Sequence, residues 1–188
     1  MDKQQLQTMR HSMAHLMAAA VSELYPGVKL GVGPAVGEGF YYDFHLEDTI
    51  TEKDFKKIEK KMREVINRDD QFVKKEFSLD EAVVFFKEQG QDFKVELLED
   101  LKSKGTTKFG ADELADIGEM TDVAMVYYTG DFVDLCRGPH LEHSKEVGVF
   151  KLTKVSGAYW RGNAEGAQMQ RVYGVAFETK DQLADYMN

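Results

Sequence analysis

Apolar residues recur every three or four positions near the start of the chain, which is the period of one face of an α-helix. Between residues 3 and 25 these apolar residues are Leu6, Met9, Met13, Met17, Ala20 and Leu24. Asp2 followed by Gln5 is typical of a capping box at a helix start, and Pro26-Gly27 is typical of a helix end. The pattern therefore predicts one long N-terminal helix with a buried apolar stripe.

Two histidines lie on the side of this helix that faces away from the stripe. His11 and His15 are one turn apart, and the small residues around them are Ala18, Ala19 and Ser22. Long charged side chains usually occupy that side of a surface helix, so small residues beneath two imidazoles indicate a cleft. Taken alone, such a pair is more typical of two exposed histidines on an alanine-rich helix.

Shorter periodic segments occupy the rest of the chain. Helices are expected at residues 51–68, 78–90 and from 179 onward, while residues 92–101 fit either a strand or a helix. Two strands are expected within residues 28–44, and others at 72–77, at 123–135 as a hairpin, at 147–155 and at 169–177. Residues 102–120 are polar and predict a loop excursion. In the 28–44 segment, Tyr41 and Tyr42 alternate in direction, so only one of them is expected to face the core.

These elements favour an α+β fold. An antiparallel sheet is expected to pack against one long N-terminal helix and two or three shorter helices. With 188 residues, of which 43% are hydrophobic, the chain is long enough for one domain or for one domain with a small appendage.

The composition limits the classes of function. No apolar run is long enough to span a membrane, and the polar N-terminus does not resemble a signal peptide. A single cysteine excludes an internal disulfide and fits the reducing cytoplasm. The net charge of −9 argues against a general affinity for a nucleic-acid backbone, but it is compatible with binding the end of a nucleic acid.

The only cysteine, Cys136, lies four residues before a third histidine, His140. Three of the five histidines and the cysteine thus form two equally spaced pairs that are far apart in the sequence. If the fold joins the pairs, they are an acceptable ligand set for zinc, and three ligands with a water form a catalytic arrangement. Without a metal, the same side chains can act as a general base and as hydrogen-bond donors.

Residues near Cys136 give two further hypotheses. As a covalent nucleophile, Cys136 needs His140 as its base, and Gly138-Pro139 disfavours the helical turn that would bring them together, so this hypothesis ranks last. Asp134 lies two residues before Cys136, on the same face if the strand continues. It is suited to orient a histidine or to accept a hydrogen bond from a substrate amine.

Four motifs together resemble the editing domain of bacterial threonyl-tRNA synthetase, within the threonyl/alanyl-tRNA synthetase second additional domain superfamily. They are RHSMAHL at 10–16, VGPAVGEGFYYDF at 32–44, DFVDLCRGPH at 131–140, and AYWRGN with MQRVYGVAF over 158–177. The related alanyl-tRNA editing proteins share both spaced pairs but typically carry Gly-Gly-Thr before the last histidine. The sequence Arg137-Gly138-Pro139 therefore indicates the threonyl branch. The resemblance implies one editing domain over residues 1–188, with residues 123–188 as its second-additional-domain part.

The resemblance also implies a function. Such a domain hydrolyses the ester that joins serine to the tRNA for threonine, which is a proofreading step of cytoplasmic protein synthesis. The partner would be the 3′ acceptor end of that tRNA, and also the rest of a synthetase if the chain is an excised domain rather than a free-standing protein. Members of the threonyl branch are thought to use an activated water without an obligatory metal, so the resemblance implies no required cofactor.

The resemblance assigns roles to individual residues. The positions that match the pocket and its catalytic groups are His11, His15, Lys94, Cys136 and His140. Tyr42 matches a residue near the terminal adenosine, and Asp134 matches an acidic residue that contacts the substrate. The segment between Lys94 and Cys136 is longer than in the family.

Two alternatives stay open. The first is a metal-dependent hydrolase of a small ester or amide, with zinc held by His11, His15, Cys136 and His140. The second is a non-catalytic module that packs against a synthetase or presents a surface to tRNA. Zinc content and activity on free esters distinguish the first alternative, and the absence of any deacylation distinguishes the second.

Overall fold

The structure is a computed structural model that describes residues 1–104 and 123–188. Its helices are α1 (Lys3–Leu24), α2 (Phe55–Asn67), α3 (Leu79–Glu88), α4 (Asp92–Lys104) and α5 (Lys180–Met187). Its strands are β1 (Lys29–Leu30), β2 (Ala35–Val36), β3 (Gly39–His45), β4 (Phe72–Ser78), β5 (Val123–Thr129), β6 (Phe132–Leu135), β7 (Val149–Tyr159) and β8 (Gln168–Phe177).

The strands form two antiparallel sheets. The first sheet has the order β1-β3-β8-β7, with β2 also paired to β3, and the second sheet has the order β4-β5-β6. The predicted hairpin at 123–135 is present as β5 and β6, in which Thr129 pairs with Phe132. The α+β class and the antiparallel pairing are thus confirmed.

The long N-terminal helix is confirmed with its capping box. Asp2 accepts a hydrogen bond from the Gln5 backbone at 2.8 Å, and the Gln5 side chain accepts one from the Asp2 backbone at 2.9 Å. The surroundings of the helix differ from the prediction, because every residue from Met9 to Val21 is buried. Ala18 and Ala19 lie in the hydrophobic core rather than at the floor of an open cleft.

Three further predictions need correction. Residues 28–44 contain three strands rather than two, because β1 and β2 pair one after the other with β3. Residues 92–104 form the helix α4, so the described chain has four shorter helices rather than two or three. Residues 102–104 belong to that helix, and the rest of the predicted loop at 102–120 lies outside the described residues.

Both tyrosines of β3 are buried, and only Tyr42 belongs to a hydrophobic core, as the alternation along the strand predicts. Tyr42 is 1% exposed and packs in the core, whereas Tyr41 is 3% exposed on the opposite face of the sheet. On that face the Arg171 guanidinium lies 4.0 Å from the centre of the Tyr41 ring. The same guanidinium binds both carboxylate oxygens of Asp43, at 2.7 and 2.9 Å.

The buried apolar side chains form two hydrophobic cores. The first core joins α1 and α2 to the first sheet and includes Met13, Met17, Phe40, Phe44, Ile58 and Val172. The second core joins α3 and α4 to the second sheet and includes Phe86, Leu97, Leu98, Val126, Leu135 and Trp160. His11 of α1 contacts Cys136 and Pro139, which come after β6. Within the part of the chain that the structure describes, no helix combines the length and apolarity needed to cross a membrane.

Candidate active site

The two spaced pairs predicted from the sequence come together in the structure. Cys136 Sγ lies 3.4 Å from His11 Nε2 and 3.3 Å from His140 Nε2. The rings of His11 and His140 are stacked, with centroids 4.5 Å apart. The helix α1 therefore contributes one imidazole and the segment after β6 contributes the other imidazole and the thiol. We call His11, Cys136 and His140 the imidazole–thiol cluster.

The hydrogen bonds around the cluster assign a consistent set of tautomers. The backbone N–H of Leu141 donates to Ser12 Oγ at 3.0 Å, and Ser12 Oγ lies 3.0 Å from His140 Nδ1. If the Ser12 hydroxyl donates to Nδ1, then His140 Nε2–H donates to the sulfur, and the thiol donates to His11 Nε2. His11 Nδ1–H then donates to the Pro139 carbonyl, which lies 3.3 Å away.

In this assignment the lone pair of His11 Nε2 accepts the thiol hydrogen, and it becomes available to a water when the thiol turns that hydrogen away. A neutral imidazole with an accepting Nε2 is suited to take a proton from water, which is the role of a general base. Its other ring nitrogen is held by a backbone carbonyl, and such a contact fixes the tautomer and the ring orientation. The geometry therefore suits His11 for acid–base chemistry.

His15 lies beside the cluster rather than in it. Its Nε2 lies 2.7 Å from Thr129 Oγ1, and its ring contacts the edges of Phe72 and Phe132. The ring is 3% exposed, and its centroid lies 5.0 Å from that of His140. His15 thus packs beside the His140 ring.

Lys94, Asp134 and Tyr42 form a second polar group. Lys94 Nζ lies 2.9 Å from Asp134 Oδ1, and both side chains are almost fully buried. Tyr42 donates from its hydroxyl to Asp134 Oδ2 at 2.5 Å. Lys94 also donates to the Gly31 carbonyl at 2.5 Å. Three residues that the sequence placed together only through a family resemblance are therefore in direct contact.

The position of Lys94 is set by the start of α4 and the edge strand β1. Gln91 accepts a hydrogen bond from the Leu30 backbone at 2.8 Å and donates to the Val28 carbonyl at 3.2 Å. Asp92 forms an ion pair with Lys29 at the same edge. The first turn of α4 is thereby held against β1, so that Lys94 reaches the Gly31 carbonyl.

Gly33 gives Tyr42 the room it needs. A Cβ atom at Gly33 would lie 2.1 Å from the Tyr42 ring, which is closer than real Cβ contacts. The absence of a side chain thus lets the ring lie flat against the backbone before β2 and reach Asp134.

The second polar group and the imidazole–thiol cluster are connected through one short stretch of chain. Asp134 lies near the end of β6, and Cys136 comes two residues later with its backbone N–H on the Met125 carbonyl at 3.0 Å. Residues two apart in an extended segment point to the same face and lie about 6–7 Å apart. Asp134, with its partner Lys94, and Cys136 are therefore directed to the same side of this segment.

The cluster fits a three-ligand zinc site. The nearest ligand atoms of its three residues all lie within 4.8 Å of one another. Tetrahedral zinc with the usual bond lengths places sulfur and nitrogen ligands about 3.5 Å apart, close to the separations seen here. His15 directs Nε2 to Thr129, so the set of four zinc ligands inferred from the sequence reduces to three (His11, Cys136 and His140).

The pKa of His140 is lowered well below its usual value of 6.5, first because the ring is buried and then because the His11 and His15 imidazoles lie nearby. The folded protein therefore binds this proton less readily than the unfolded chain does. The resulting contribution to stability is complete above pH 6.5 and is lost as the pH falls toward the folded-state pKa.

We therefore expect the free energy of unfolding to decrease as the pH is lowered from about 6.5 to about 5. Urea denaturation at a series of pH values, with a chelator present so that no cation competes with the proton, measures this decrease. The variant His140→Gln should show a flatter pH dependence. A free energy of unfolding that increases over this interval would contradict the assignment.

The chain resembles one described family over part of its length. Residues 125–173 match the family described as "Threonyl and Alanyl tRNA synthetase second additional domain". This range lies within the predicted part at 123–188, and the domain limits themselves stay a prediction.

Similar proteins along the whole chain are threonine–tRNA ligases. The protein of Geobacter sp. (strain M21) is 45% identical over 182 residues, which cover 97% of this chain and 26% of that protein. The protein of Clostridium novyi (strain NT) is 42% identical over 187 residues, covering 100% of this chain and 27% of that protein. That of Wolbachia sp. subsp. Brugia malayi (strain TRS) is 41% identical over 186 residues, covering 99% and 27%.

The chain thus spans about a quarter of the length of these relatives. The resemblance to the editing domain of bacterial threonyl-tRNA synthetase, first drawn from four motifs, is confirmed over nearly the whole chain.

Sequence reasoning missed two residues that support the site. Ser12 is fully buried and links the helix to His140 and Leu141, although its position beside His11 is the only local signal for this role. Thr129 holds His15, whereas the sequence marks it only as a turn residue of the hairpin. In both cases the partner is more than 100 residues away in the chain.

Proposed function

We propose that this chain hydrolyses the ester bond of serine attached to the tRNA for threonine, as the editing domain of a cytoplasmic threonyl-tRNA synthetase or as a free-standing version. The single observation that carries the proposal is that the imidazole–thiol cluster and the buried Lys94–Asp134 pair are joined by residues 134–136 of one short segment. The similarity of the whole chain to a segment of threonine–tRNA ligases supports the choice of substrate.

The chemistry needs a water, a base and groups that orient the ester. The oxygen of the water attacks the ester carbonyl carbon while His11 Nε2 takes its proton, with the Lys94 ammonium helping to hold the water. The bond between the carbonyl carbon and the ribose oxygen then breaks, and the proton passes from His11 to that ribose oxygen. Serine and the free tRNA 3′ end are the products.

Asp134 supplies the negative charge for the ammonium group of the amino acid. Its carboxylate is paired with Lys94 and accepts from Tyr42, so a substrate ammonium would share it with these donors. Tyr42, through this contact with Asp134, lies where the amino acid meets the terminal adenosine in the proposed complex. The roles of Asp134 and Tyr42 in binding are part of the proposal.

Selectivity follows from size. Serine lacks one methyl group of threonine, and a pocket sized for threonine discriminates against the smaller side chain by only about 10–200-fold. A second site that accepts serine and excludes threonine by contact with its methyl group can remove serine that was wrongly attached to this tRNA. We infer that the space between the cluster and the Lys94–Asp134 pair is this second site.

The experiment is single-turnover hydrolysis of seryl- and threonyl-tRNA for threonine at equal and high enzyme concentration. We expect the serine ester to be hydrolysed more than about tenfold faster. The absolute rates should be low, because a chain with a net charge of −9 binds the tRNA body weakly. Equal rates on both esters would exclude selection by the size of the amino acid. Hydrolysis of neither ester would favour the non-catalytic module.

A metal-dependent hydrolase of small esters is the second candidate, because the imidazole–thiol cluster fits zinc. A zinc ion held by His11, Cys136 and His140 would supply Lewis-acid activation of a water molecule. The buried ammonium of Lys94 gives a charge beside the same space without any metal.

We therefore predict that deacylation survives exhaustive chelation. The measurement combines the zinc content of the purified protein with seryl-tRNA hydrolysis before and after dialysis against a chelator. One zinc per chain and complete loss of hydrolysis on its removal, restored by added zinc, would instead establish the metal-dependent hydrolase.

A further inference from the structure

A second group of metal-ligand side chains lies at the surface, shortly after His140 in the chain. Glu142, His143 and Glu146 each offer one ligand atom, and these three atoms all lie within 4.8 Å of one another. Both glutamates are exposed, and His143 is half-buried. One imidazole nitrogen with two carboxylate oxygens is a ligand set that divalent first-row metals accept. We call these three residues the Glu–His–Glu group.

The backbone under the Glu–His–Glu group is held in place by hydrogen bonds. The carbonyl of Glu142 accepts from the backbone N–H of Phe72 at 2.9 Å, at the start of β4. The N–H of Glu146 donates to the His143 carbonyl at 3.1 Å, which closes a short turn around the fully buried Ser144. The three ligand residues therefore project from a fixed backbone, and a cation would not have to order a loose loop to bind them.

The imidazole of His143 gives an independent sign of a ligand. Its Nδ1 atom is buried and has no hydrogen-bond partner in the described part of the chain. Asp69 Oδ1 lies 4.0 Å from this nitrogen, which is too far for a hydrogen bond. A buried polar atom without a partner is uncommon in folded proteins, and a bound ion or water is a usual reason for one. Either Nδ1 binds the cation, or it donates to Asp69 while the other ring nitrogen binds.

The charges around His143 favour a cation. Glu142, Glu146 and Asp69 bring three carboxylates near the imidazole, in a chain with a net charge of −9. Lys145 lies between the two glutamates in the sequence, yet among the described residues no ion pair joins a lysine or an arginine to either glutamate. A divalent ion would supply the positive charge that these side chains do not receive from the described protein.

We propose that Glu142, His143 and Glu146 bind a divalent first-row metal ion, with Asp69 as the hydrogen-bond partner of the imidazole and with water in the remaining coordination positions. The inference goes beyond the proposed function and does not depend on it. Carboxylate oxygens suit Mn²⁺, and the imidazole extends the range to Zn²⁺. Because Glu142 is two residues after His140, the bound ion would brace the segment that carries His140.

Mn²⁺ is the probe, because a hard ion prefers oxygen and nitrogen ligands to a thiolate, so the imidazole–thiol cluster competes weakly for it. Titration of the whole chain, followed by the electron paramagnetic resonance signal of free Mn²⁺, gives the number of sites and the affinity. The test variants are His143→Gln and Glu146→Gln. Glu52→Gln, at an exposed glutamate before α2, is the matched control for the loss of one negative charge, and Cys136→Ser reports binding at the imidazole–thiol cluster. Thermal unfolding without metal shows that each variant is folded.

We expect one Mn²⁺ per wild-type chain. His143→Gln and Glu146→Gln should each weaken binding by at least about 10–100-fold, which is the usual effect of removing only a hydrogen-bond partner of a metal ligand. Asp69→Asn should weaken it less than either variant, and asparagine tolerates the φ of 54° at this position, so the turn is kept. Mn²⁺ should raise the unfolding temperature of wild type and of Cys136→Ser, and much less that of His143→Gln, because an ion that binds only the folded state stabilises it.

Three results would overturn the inference. Equal weakening in Glu52→Gln would show that Mn²⁺ responds only to the net charge. Loss of binding in Cys136→Ser, with none in His143→Gln, would place the ion at the imidazole–thiol cluster. No binding at millimolar Mn²⁺ would exclude the site. None of these results bears on the proposed deacylase function, which seryl-tRNA hydrolysis tests separately.

Discussion

Replacing Lys94 by methionine will lower the free energy of unfolding by about 3–5 kcal/mol, since it removes one partner of a buried ion pair. Lys94 is completely buried, and its ammonium lies 2.9 Å from the Asp134 carboxylate. Methionine nearly matches the aliphatic part of the side chain, so little packing is lost. The cost comes from the Asp134 charge, which stays buried after its cation is removed, although the Tyr42 hydroxyl and the Leu135 backbone still donate to it.

Chemical denaturation with a two-state fit measures this change. The double variant Lys94→Met with Asp134→Asn should recover a large part of the loss, because the amide removes the uncompensated charge and keeps the Tyr42 contact. Lys60→Met, at an exposed lysine of α2, is the control and should stay within about 0.5 kcal/mol of wild type. A loss below about 1 kcal/mol for Lys94→Met would show that water reaches the pair and that the buried geometry is wrong.

The second large effect concerns catalysis. His11→Gln should reduce single-turnover deacylation of seryl-tRNA by about 10²–10⁴-fold, which is the usual contribution of a positioned acid–base group. Glutamine nearly fills the volume of the imidazole and can still form hydrogen bonds, but it cannot take up a proton near neutral pH. The loss should appear in the maximal rate, because the proposed binding group Asp134 is untouched.

The control for this prediction is His45→Gln, at a histidine near Gln168 and outside the imidazole–thiol cluster. It should deacylate at the wild-type rate. A folded His11→Gln protein with unchanged hydrolysis would remove His11 from the chemistry and direct attention to Lys94.

Truncation to alanine is a poorer experiment than the sequence suggests. The sequence places both histidines opposite the apolar stripe and thereby predicts that alanine variants leave no cavity. The structure shows His11 8% exposed and stacked on His140, and His15 3% exposed between Phe72 and Phe132. Alanine at either position opens a void among packed rings, so a loss of activity would be mixed with a loss of stability.

The helix α4 shows why one element could not be assigned from its pattern. Its buried positions are Lys94, Leu97, Leu98 and Leu101, which have the spacing of one helical face. The first of them is a lysine, and a lysine is normally counted as polar. With Lys94 counted as exposed, Phe93, Val95 and Leu97 alternate as in a strand. Partners that are distant in the sequence, Asp134 and the Gly31 carbonyl, make a lysine acceptable on the buried face.

The site could be predicted in part for a related reason. The equal spacing of the two pairs predicted that His11, Cys136 and His140 belong to one site. Such a prediction is possible because the residues of a functional cluster have characteristic types and intervals. The spacing could not separate His11 from His15, which are equivalent in sequence, yet only His11 touches the sulfur. The difference depends on Thr129, which lies across the fold and takes Nε2 of His15.

The length of α4 has a consequence for where a reporter group can be attached to this protein. Lys94 lies in the first turn of this 13-residue helix, and Lys104 at its far end is about 15 Å away along the axis at 1.5 Å per residue. The first turn is fixed by Gln91 and by the Asp92–Lys29 pair. A fluorophore attached at the exposed Ser103 would therefore lie about 13 Å along the axis from Lys94 and would leave the contacts of the first turn in place.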